Sequence, residues 1–212
     1  MENKTIRDQF YIGVIFRDAW TIFKGSWLQM YGVYAVPFVL FVLYFIYSLS
    51  LANRDIVPRG IPLLYTIAQW VISLMVIKAT LMIARRKTLD LKEILSAVLC
   101  LHKYLAAMIM VTVVVIVGFI FLIVPGIYLA FKYTFVPYLI VDKNLGPIEA
   151  MKASSKMTDG IKWDILGFYV AGAALAYLGL IALGVGILVS APVAYLAYLL
   201  FYDKVLKATK IA

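Results

Sequence analysis

The chain has 212 residues, of which 65% are hydrophobic, and its formal net charge is +9 with one cysteine and one histidine. Soluble domains are apolar over roughly half of their residues, so this composition excludes a water-soluble globule and predicts a polytopic membrane protein. A disulfide within the chain is excluded, and Cys100 with His102 is too small a set for a Cys/His metal site, so we predict no metal and no cofactor.

The first predicted elements are an interfacial amphipathic helix at 5–25 and a transmembrane span at 28–51. Charged residues of 5–25 fall on one side of a 3.6-residue period, and large apolar residues fall mostly on the other. Trp20, Lys24 and Trp27 lie just before the first span, and aromatic and cationic side chains favour the membrane interface. The mixed charges before the first span also predict that there is no signal peptide.

The next predicted elements are a span at 61–84, an amphipathic helix at 88–102 and a span at 104–124. Apolar residues of 88–102 recur at i, i+3 and i+4, which indicates a helix with one apolar face. Lys103 marks the interface before the third span. Lys78 lies inside the second span, where its side chain either snorkels to the interface or holds an anionic head group.

The apolar stretch at 121–143 contains Pro125, Gly126, Lys132 and Pro137. A fourth span at 127–141 would be about 23 Å long at 1.5 Å per residue, which is short for a bilayer. Pro125 and Gly126 predict a tight outer turn, or a discontinuous helix that lines a site, and Pro137 predicts a kink. Lys132 either binds an anionic head group or snorkels outward.

The last predicted elements are an amphipathic helix at 147–158 and spans at 163–183 and 186–202. Glu149 and Lys152 share one face of the amphipathic helix, and Lys162 and Trp163 begin the fifth span. Small residues recur along the last two spans and predict close packing between them, or a homodimer face. These small residues are Gly172, Ala176, Gly179, Gly186, Ser190 and Ala194.

The distribution of charge predicts the orientation in the membrane. Most of the 20 Lys and Arg residues fall in segments on one side of the six predicted spans. Only Arg54 and Arg59 fall in the turns on the other side. The positive-inside rule therefore predicts that both termini lie in the cytoplasm. Because this topology accounts for the basic balance, we predict no nucleic-acid binding.

The predicted fold is all-α, with six transmembrane helices in a single integral membrane domain, 1–212. The spans form three hairpins, each preceded by an interfacial amphipathic helix. The segments 18–32 and 149–167 share an acid followed by Ala, then Lys and Trp, as an internal repeat would. The same similarity arises if every interfacial helix before a span carries Lys and Trp, because both side chains favour that depth.

Several short motifs in the second half of the chain form a pattern. They are Val-Pro-Gly-Ile-Tyr-Leu at 124–129, Pro137, Asp142, Gly-Pro-Ile-Glu-Ala at 146–150, and Lys162-Trp163. In these residues the chain resembles a prokaryotic family of integral membrane proteins of unassigned function. It is similar to the membrane domain attached to some bacterial glycerophosphoryl diester phosphodiesterases.

This resemblance implies a six-helix inner-membrane protein that acts near phospholipid or envelope maintenance. It carries over no catalytic residue, because the phosphodiesterase of those longer proteins is a separate soluble domain. The family pattern implies Arg where Lys132 stands. A lysine cannot form the bidentate grip on phosphate that an arginine forms.

No catalytic motif is present in the sequence. Every acidic residue lies at a predicted membrane edge or beyond, so no acid–base pair falls inside the bilayer. We therefore predict a non-enzymatic, multi-pass protein of the cell membrane that binds or organises anionic phospholipid. The alternative is a small transporter or channel for an anionic amphiphile, with Lys132 on the path. A homo-oligomer and an unidentified membrane partner both remain open.

Overall fold

A computed structural model describes residues 12–51, 60–181 and 186–209 of the chain. These ranges contain no β-strand, so the all-α prediction is confirmed for this part of the chain. A short 3₁₀ turn at Ala97–Cys100 lies between the third and fourth helices. The helices are α1 (Ile12–Leu51), α2 (Gly60–Ala84), α3 (Leu91–Ser96), α4 (Leu101–Phe121), α5 (Ile123–Lys132), α6 (Val136–Lys143), α7 (Pro147–Met157), α8 (Lys162–Ile181) and α9 (Gly186–Ala208).

Five helical segments in the described ranges are long and apolar enough to cross a membrane. They are α1, α2, α3 joined to α4, α5 joined to α6, and most of α9. Helices α7 and α8 meet the same criterion only as a pair, and the pair is bent by 93°. By length and composition, the described chain therefore holds five spanning candidates, or six if the bent pair is one span.

Helix α1 has 40 residues and a kink at Ser26, whose backbone angles (φ −135°, ψ 22°) are not helical. The Ser26 hydroxyl donates to the Ile22 carbonyl at 2.7 Å, a side-chain bond that often bends helices. The kink lies between the predicted amphipathic helix at 5–25 and the predicted span at 28–51. Residues 5–11 of that amphipathic helix lie outside the described part of the chain.

Helix α2 ends in a Schellman motif. The Lys87 N–H donates to the Met82 carbonyl and the Arg86 N–H donates to the Ile83 carbonyl, both at 2.9 Å. Arg86 has a φ of 54°, in the left-handed region where glycine is the usual residue. The motif turns the chain toward α3, which begins the predicted amphipathic segment at 88–102.

The predicted fourth span at 127–141 is two helices with a break between them. Helix α4 ends at Phe121 and is followed by Leu122, an extended residue (φ −166°, ψ 153°). The chain therefore turns before Pro125 and Gly126, where the turn was predicted. Pro125 and Gly126 lie inside the first turn of α5, where proline is tolerated because its N–H would be unpaired anyway. The helix breaks again after Lys132, and Pro137 is the second residue of α6.

Two hydroxyl groups satisfy the backbone at the break between α5 and α6. The Lys132 carbonyl accepts from Ser154 Oγ at 2.9 Å and from Thr158 Oγ1 at 3.3 Å. The Phe135 N–H donates to the same Ser154 oxygen at 3.2 Å. An unpaired backbone group in lipid costs several kcal/mol, so the buried Ser154 and Thr158 are what permit a break in an apolar segment.

Helix α9 is the most buried of the spanning candidates and packs against α1, α2 and α8. The largest buried side chains include Phe135, Phe201 and Tyr202. The ring centroids of Phe135 lie 6.1 Å from Phe201 and 5.7 Å from Tyr202. Because lipid tails are as apolar as these rings, close packing and polar contacts are the main forces that join such helices.

Helices α8 and α9 approach each other through two glycines. A methyl group added to Gly179 would lie 2.9 Å from the backbone carbonyl of Gly186, closer than real contacts allow. Gly172, earlier in α8, faces open space instead. The other small residues of the predicted stripes are half-buried or buried: Ala176, Ala194 and Ser190.

Candidate functional site

One end of the bundle gathers the C-terminal ends of α2, α6 and α9 with the N-terminal end of α4. Arg85, directly after α2, contacts Asp142 on α6 and Asp203 on α9. The Lys103 ammonium donates to the side-chain oxygen of Asn144, directly after α6, at 2.8 Å. We call this region the basic end, after its cations Arg85, Arg86, Lys87, Lys103 and Lys143.

Arg85 holds three helices together in what we call the Arg85 clasp, formed with Asp142, Asp203 and Tyr202. Its guanidinium forms two parallel bonds to the Asp142 carboxylate, of which Nη2 to Oδ2 measures 2.7 Å. Its Nε donates to Asp203 Oδ1 at 3.0 Å. The Tyr202 hydroxyl donates to Asp142 Oδ2 at 3.2 Å. The side chains of Asp142 and Asp203 are only 5% and 13% exposed.

The charges within the Arg85 clasp are compensated. Lys207 lies 2.6 Å from the second oxygen of Asp203, so two cations face two carboxylates. The hydrogen bond to Asp142 is the main cause that raises the pKa of the Arg85 guanidinium above its already high ordinary value. Arg85 is therefore always charged, and its charge is directed at two carboxylates rather than at an open cavity.

Arg86 and Lys87 differ from Arg85 because neither has an ion-pair partner in the described part of the chain. Both side chains are exposed. The left-handed conformation of Arg86 costs free energy that a glycine at the same position would not pay. Strained residues of this kind are concentrated at functional sites, so an arginine here points to a use for its side chain.

Arg86 and Lys87 line a cavity of about 370 Å³ between the kinked part of α1 and the end of α2, which we call the polar pocket. No acidic side chain lines this pocket, so its two cations are not neutralised from within. Its other lining residues, mostly small or polar, are Thr21, Ile22, Gly25, Ser26, Gln29, Ile83 and Thr88.

A second cavity of about 330 Å³, which we call the apolar groove, continues along the same two helices. Gln29 lines both cavities, so the groove begins where the polar pocket ends. Along α1 the wall then follows Gly32, Val33 and Val36, one face of the helix. The rest of the wall comes from α2, α3 and the link between them and is apolar throughout: Ile72, Met75, Val76, Ala79, Leu89, Leu91 and Ile94.

The two cations that the sequence singled out, Lys132 and Lys78, line neither cavity. The Lys132 ammonium lies 5.7 Å from the ring centroid of Tyr133, a cation–π contact. The Lys78 ammonium lies 3.1 Å from a carboxylate oxygen of Glu93 on α3. Lys78 is therefore already paired, and the structure does not bring Lys78 and Lys132 together.

The predicted interfacial residues are distributed over α1, α4, α7 and α8 rather than gathered at one site. The Lys24 ammonium lies 5.0 Å from the ring centroid of Trp20. Lys162 donates to the Tyr128 hydroxyl at 2.7 Å. Glu149 accepts a backbone N–H at the start of its own helix, α7. The remaining interfacial side chains are exposed: Trp27, Lys152 and Trp163.

Comparison with known proteins gives one match. The family described as "Protein of unknown function (DUF975)" matches residues 60–209. The chain belongs to the DUF975 family. No curated protein and no solved structure matches the chain. The predicted membership of an uncharacterised family is thus confirmed, whereas the similarity to the membrane domain of glycerophosphoryl diester phosphodiesterases remains a prediction.

The DUF975 match includes α2 to α9 and so includes the Arg85 clasp, Arg86 and Lys87. Helix α1, which supplies the other wall of both cavities, precedes the matched residues. Sequence patterns did not single out Arg86, although one indication of its unusual conformation is present in the sequence. The run after α2 is Arg85-Arg86-Lys87-Thr88, which offers no glycine or asparagine for the left-handed position that ends a helix.

Proposed function

We propose that this protein is a non-enzymatic, multi-pass protein of the cell membrane that binds and organises anionic phospholipid through its basic end. The basic end faces the cytoplasmic leaflet in this proposal, with both termini in the cytoplasm, as the distribution of Lys and Arg favours. The spans form three hairpins, each preceded by an interfacial amphipathic helix. No partner other than lipid is required.

The observation that carries the proposal is the set of cations that have no carboxylate partner at the basic end. Arg86, Lys87, Lys103 and Lys143 form no ion pair in the described ranges, whereas Arg85 is paired with two carboxylates. A Lys or Arg near an anionic leaflet contributes about 1 kcal/mol of attraction, and this attraction falls within a Debye length. Four such cations favour anionic over zwitterionic head groups.

The alternative of a transporter for an anionic amphiphile has less support. Its path would run past Lys132, and Lys132 lines neither cavity and lies against the ring of Tyr133.

The test compares lipid binding by native mass spectrometry of the detergent-solubilised protein, with phosphatidylglycerol against phosphatidylcholine at two salt concentrations. We expect preferential phosphatidylglycerol adducts that weaken at high salt. Changing Arg86, Lys87, Lys103 and Lys143 to Gln removes the preference in this proposal. Lys132→Met is the matched control, because it removes a cation outside the basic end and leaves the preference intact. Equal binding of both lipids by the unaltered protein would refute the proposed function.

A further inference from the structure

The polar pocket and the apolar groove adjoin at Gln29, which lines both, and together they make one candidate cavity with two different chemistries. The pocket carries Arg86 and Lys87 without an acidic residue in its lining. The groove beyond Gln29 is lined by aliphatic and sulfur-containing side chains. A ligand that fills both needs an anionic group attached to a hydrocarbon chain.

We infer that this cavity is a specific binding site for one anionic phospholipid, with its phosphate in the polar pocket and part of one acyl chain in the apolar groove. The inference rests on the proposed function and gives it a location. It assigns to Arg86 and Lys87 the phosphate contact that the sequence patterns had given to Lys132 and Lys78.

The local backbone is arranged for this occupant. The kink of α1 at Ser26 lies in the wall of the polar pocket, where a head group would lie. The Schellman motif places Arg86 and Lys87 beyond the end of α2. Arg86 adopts a left-handed conformation there, and its planar guanidinium can donate hydrogen bonds to phosphate oxygens.

Nearby acids do not compete for these cations. Asp90 accepts the Lys92 N–H at 2.9 Å as the cap of α3. Glu93 pairs with Lys78 at 3.1 Å. The two carboxylates of the Arg85 clasp are bound to Arg85 itself. The site therefore keeps a local excess of positive charge for a ligand anion.

Glycine on the groove wall gives a test that does not depend on damaging the fold. A Cβ atom added at Gly32 meets no atom within 4 Å, and Gly32 lines the groove, so we expect the side chain of Gly32→Leu to extend into the groove space. Leucine also has a higher helix propensity than glycine. Gly13 faces open space on the same helix and lines neither cavity, so Gly13→Leu is the matched control.

Arg86→Gly removes the cation and at the same time relieves the left-handed strain. The variant is therefore expected to unfold at the same or a higher temperature than the unaltered protein, while its phosphatidylglycerol binding weakens by about fivefold for one lost cation. Lys92→Gln removes an exposed cation of α3 that lines neither cavity, and it controls for overall charge.

The experiment measures phosphatidylglycerol, phosphatidylcholine and inorganic phosphate binding to these four variants, with thermal unfolding of each. Weaker phosphatidylglycerol binding in Arg86→Gly and in Gly32→Leu, with unchanged binding in both controls, supports the site. Retained preference in both test variants overturns the site but not the proposed function. Absence of any preference in the unaltered protein overturns both. If the unaltered protein binds inorganic phosphate but no lipid, and Gly32→Leu leaves that phosphate binding unchanged, the assignment of a phospholipid is overturned.

Discussion

The Arg85 clasp makes a strong prediction about stability. Arg85→Met keeps the length of the side chain but removes the guanidinium that joins α2, α6 and α9. Asp142 and Asp203 then stay in an environment where their side chains are 5% and 13% exposed, without their main partner. Removing one member of a buried ion pair is much more costly than replacing the whole pair, because a charge stays behind unpaired.

The magnitude follows from what remains in contact with each carboxylate. Breaking a buried pair from one side costs roughly 3–5 kcal/mol. Asp203 keeps Lys207 at 2.6 Å and Asp142 keeps the Tyr202 hydroxyl at 3.2 Å, so we expect the lower end of that range. About 3 kcal/mol corresponds to a fall in the unfolding temperature of roughly 6–12 °C for a chain of this size.

The assay is thermal unfolding of all variants in the same detergent, monitored by circular dichroism. Arg85→Met combined with Asp142→Asn and Asp203→Asn removes all of the main charges together and should recover much of the loss. Lys207→Gln is the surface control, since its side chain is 75% exposed and exposed pairs contribute at most about 1 kcal/mol. If Arg85→Met lowers the unfolding temperature by less than about 2 °C, or if the triple variant recovers none of the lost stability, this reasoning is refuted.

Two further predictions concern helix contacts and use the same unfolding assay. Gly179→Leu places a side chain against the backbone of Gly186 and should destabilise the protein by about 1–3 kcal/mol. Gly172 faces open space, so Gly172→Ala should stabilise the protein by up to about 1 kcal/mol. Stability changes of the same sign in both variants would contradict the α8–α9 contact. Lys78→Met and Glu93→Gln, alone and combined, should show a coupling free energy of about 0.2–1 kcal/mol for the ion pair between α2 and α3, and strictly additive losses would show that the pair contributes nothing.

The sequence predicted the helices well and their breaks less well. Long apolar runs define membrane-length helices whatever their neighbours, and α1, α2, α4 and α9 hold such runs, whereas α8 meets the spanning criterion only together with α7. Pro125 and Gly126 suggested the turn, yet the chain turns at Leu122 because proline fits the first helical turn. Gly126 instead lies against the Phe119 ring, in a contact so close that only a residue without a side chain fits.

The break between α5 and α6 depends on residues far along the chain. Pro137 indicated a distortion in this region, and it does lie in the first turn of α6. The partners that make the break tolerable are the hydroxyls of Ser154 and Thr158 on α7. Local propensity cannot reveal such partners, because they are set by how α7 packs against α6.

The candidate site was harder to predict because its charges are ordinary in the sequence. Lys78 and Lys132 attract attention as cations inside apolar runs, whereas Arg86 resembles any cation at the end of a span. Only the pairing separates Arg85 from Arg86, and Arg85 finds its carboxylates 57 and 118 residues away. The available indication was conformational, since no glycine follows α2 to take the left-handed position.

The hydroxyls that satisfy the break between α5 and α6 also set an order of events during synthesis. Ser154 and Thr158 follow Lys132 by 22 and 26 residues, so the ribosome makes the break before it makes the groups that complete it. At about 5–20 residues per second, the delay is on the order of 1–5 s. During that delay, α5 and α6 need water or the insertion machinery to satisfy the Lys132 carbonyl. We therefore expect release of this segment into lipid to wait for α7, so that α5, α6 and α7 insert into the membrane as one unit.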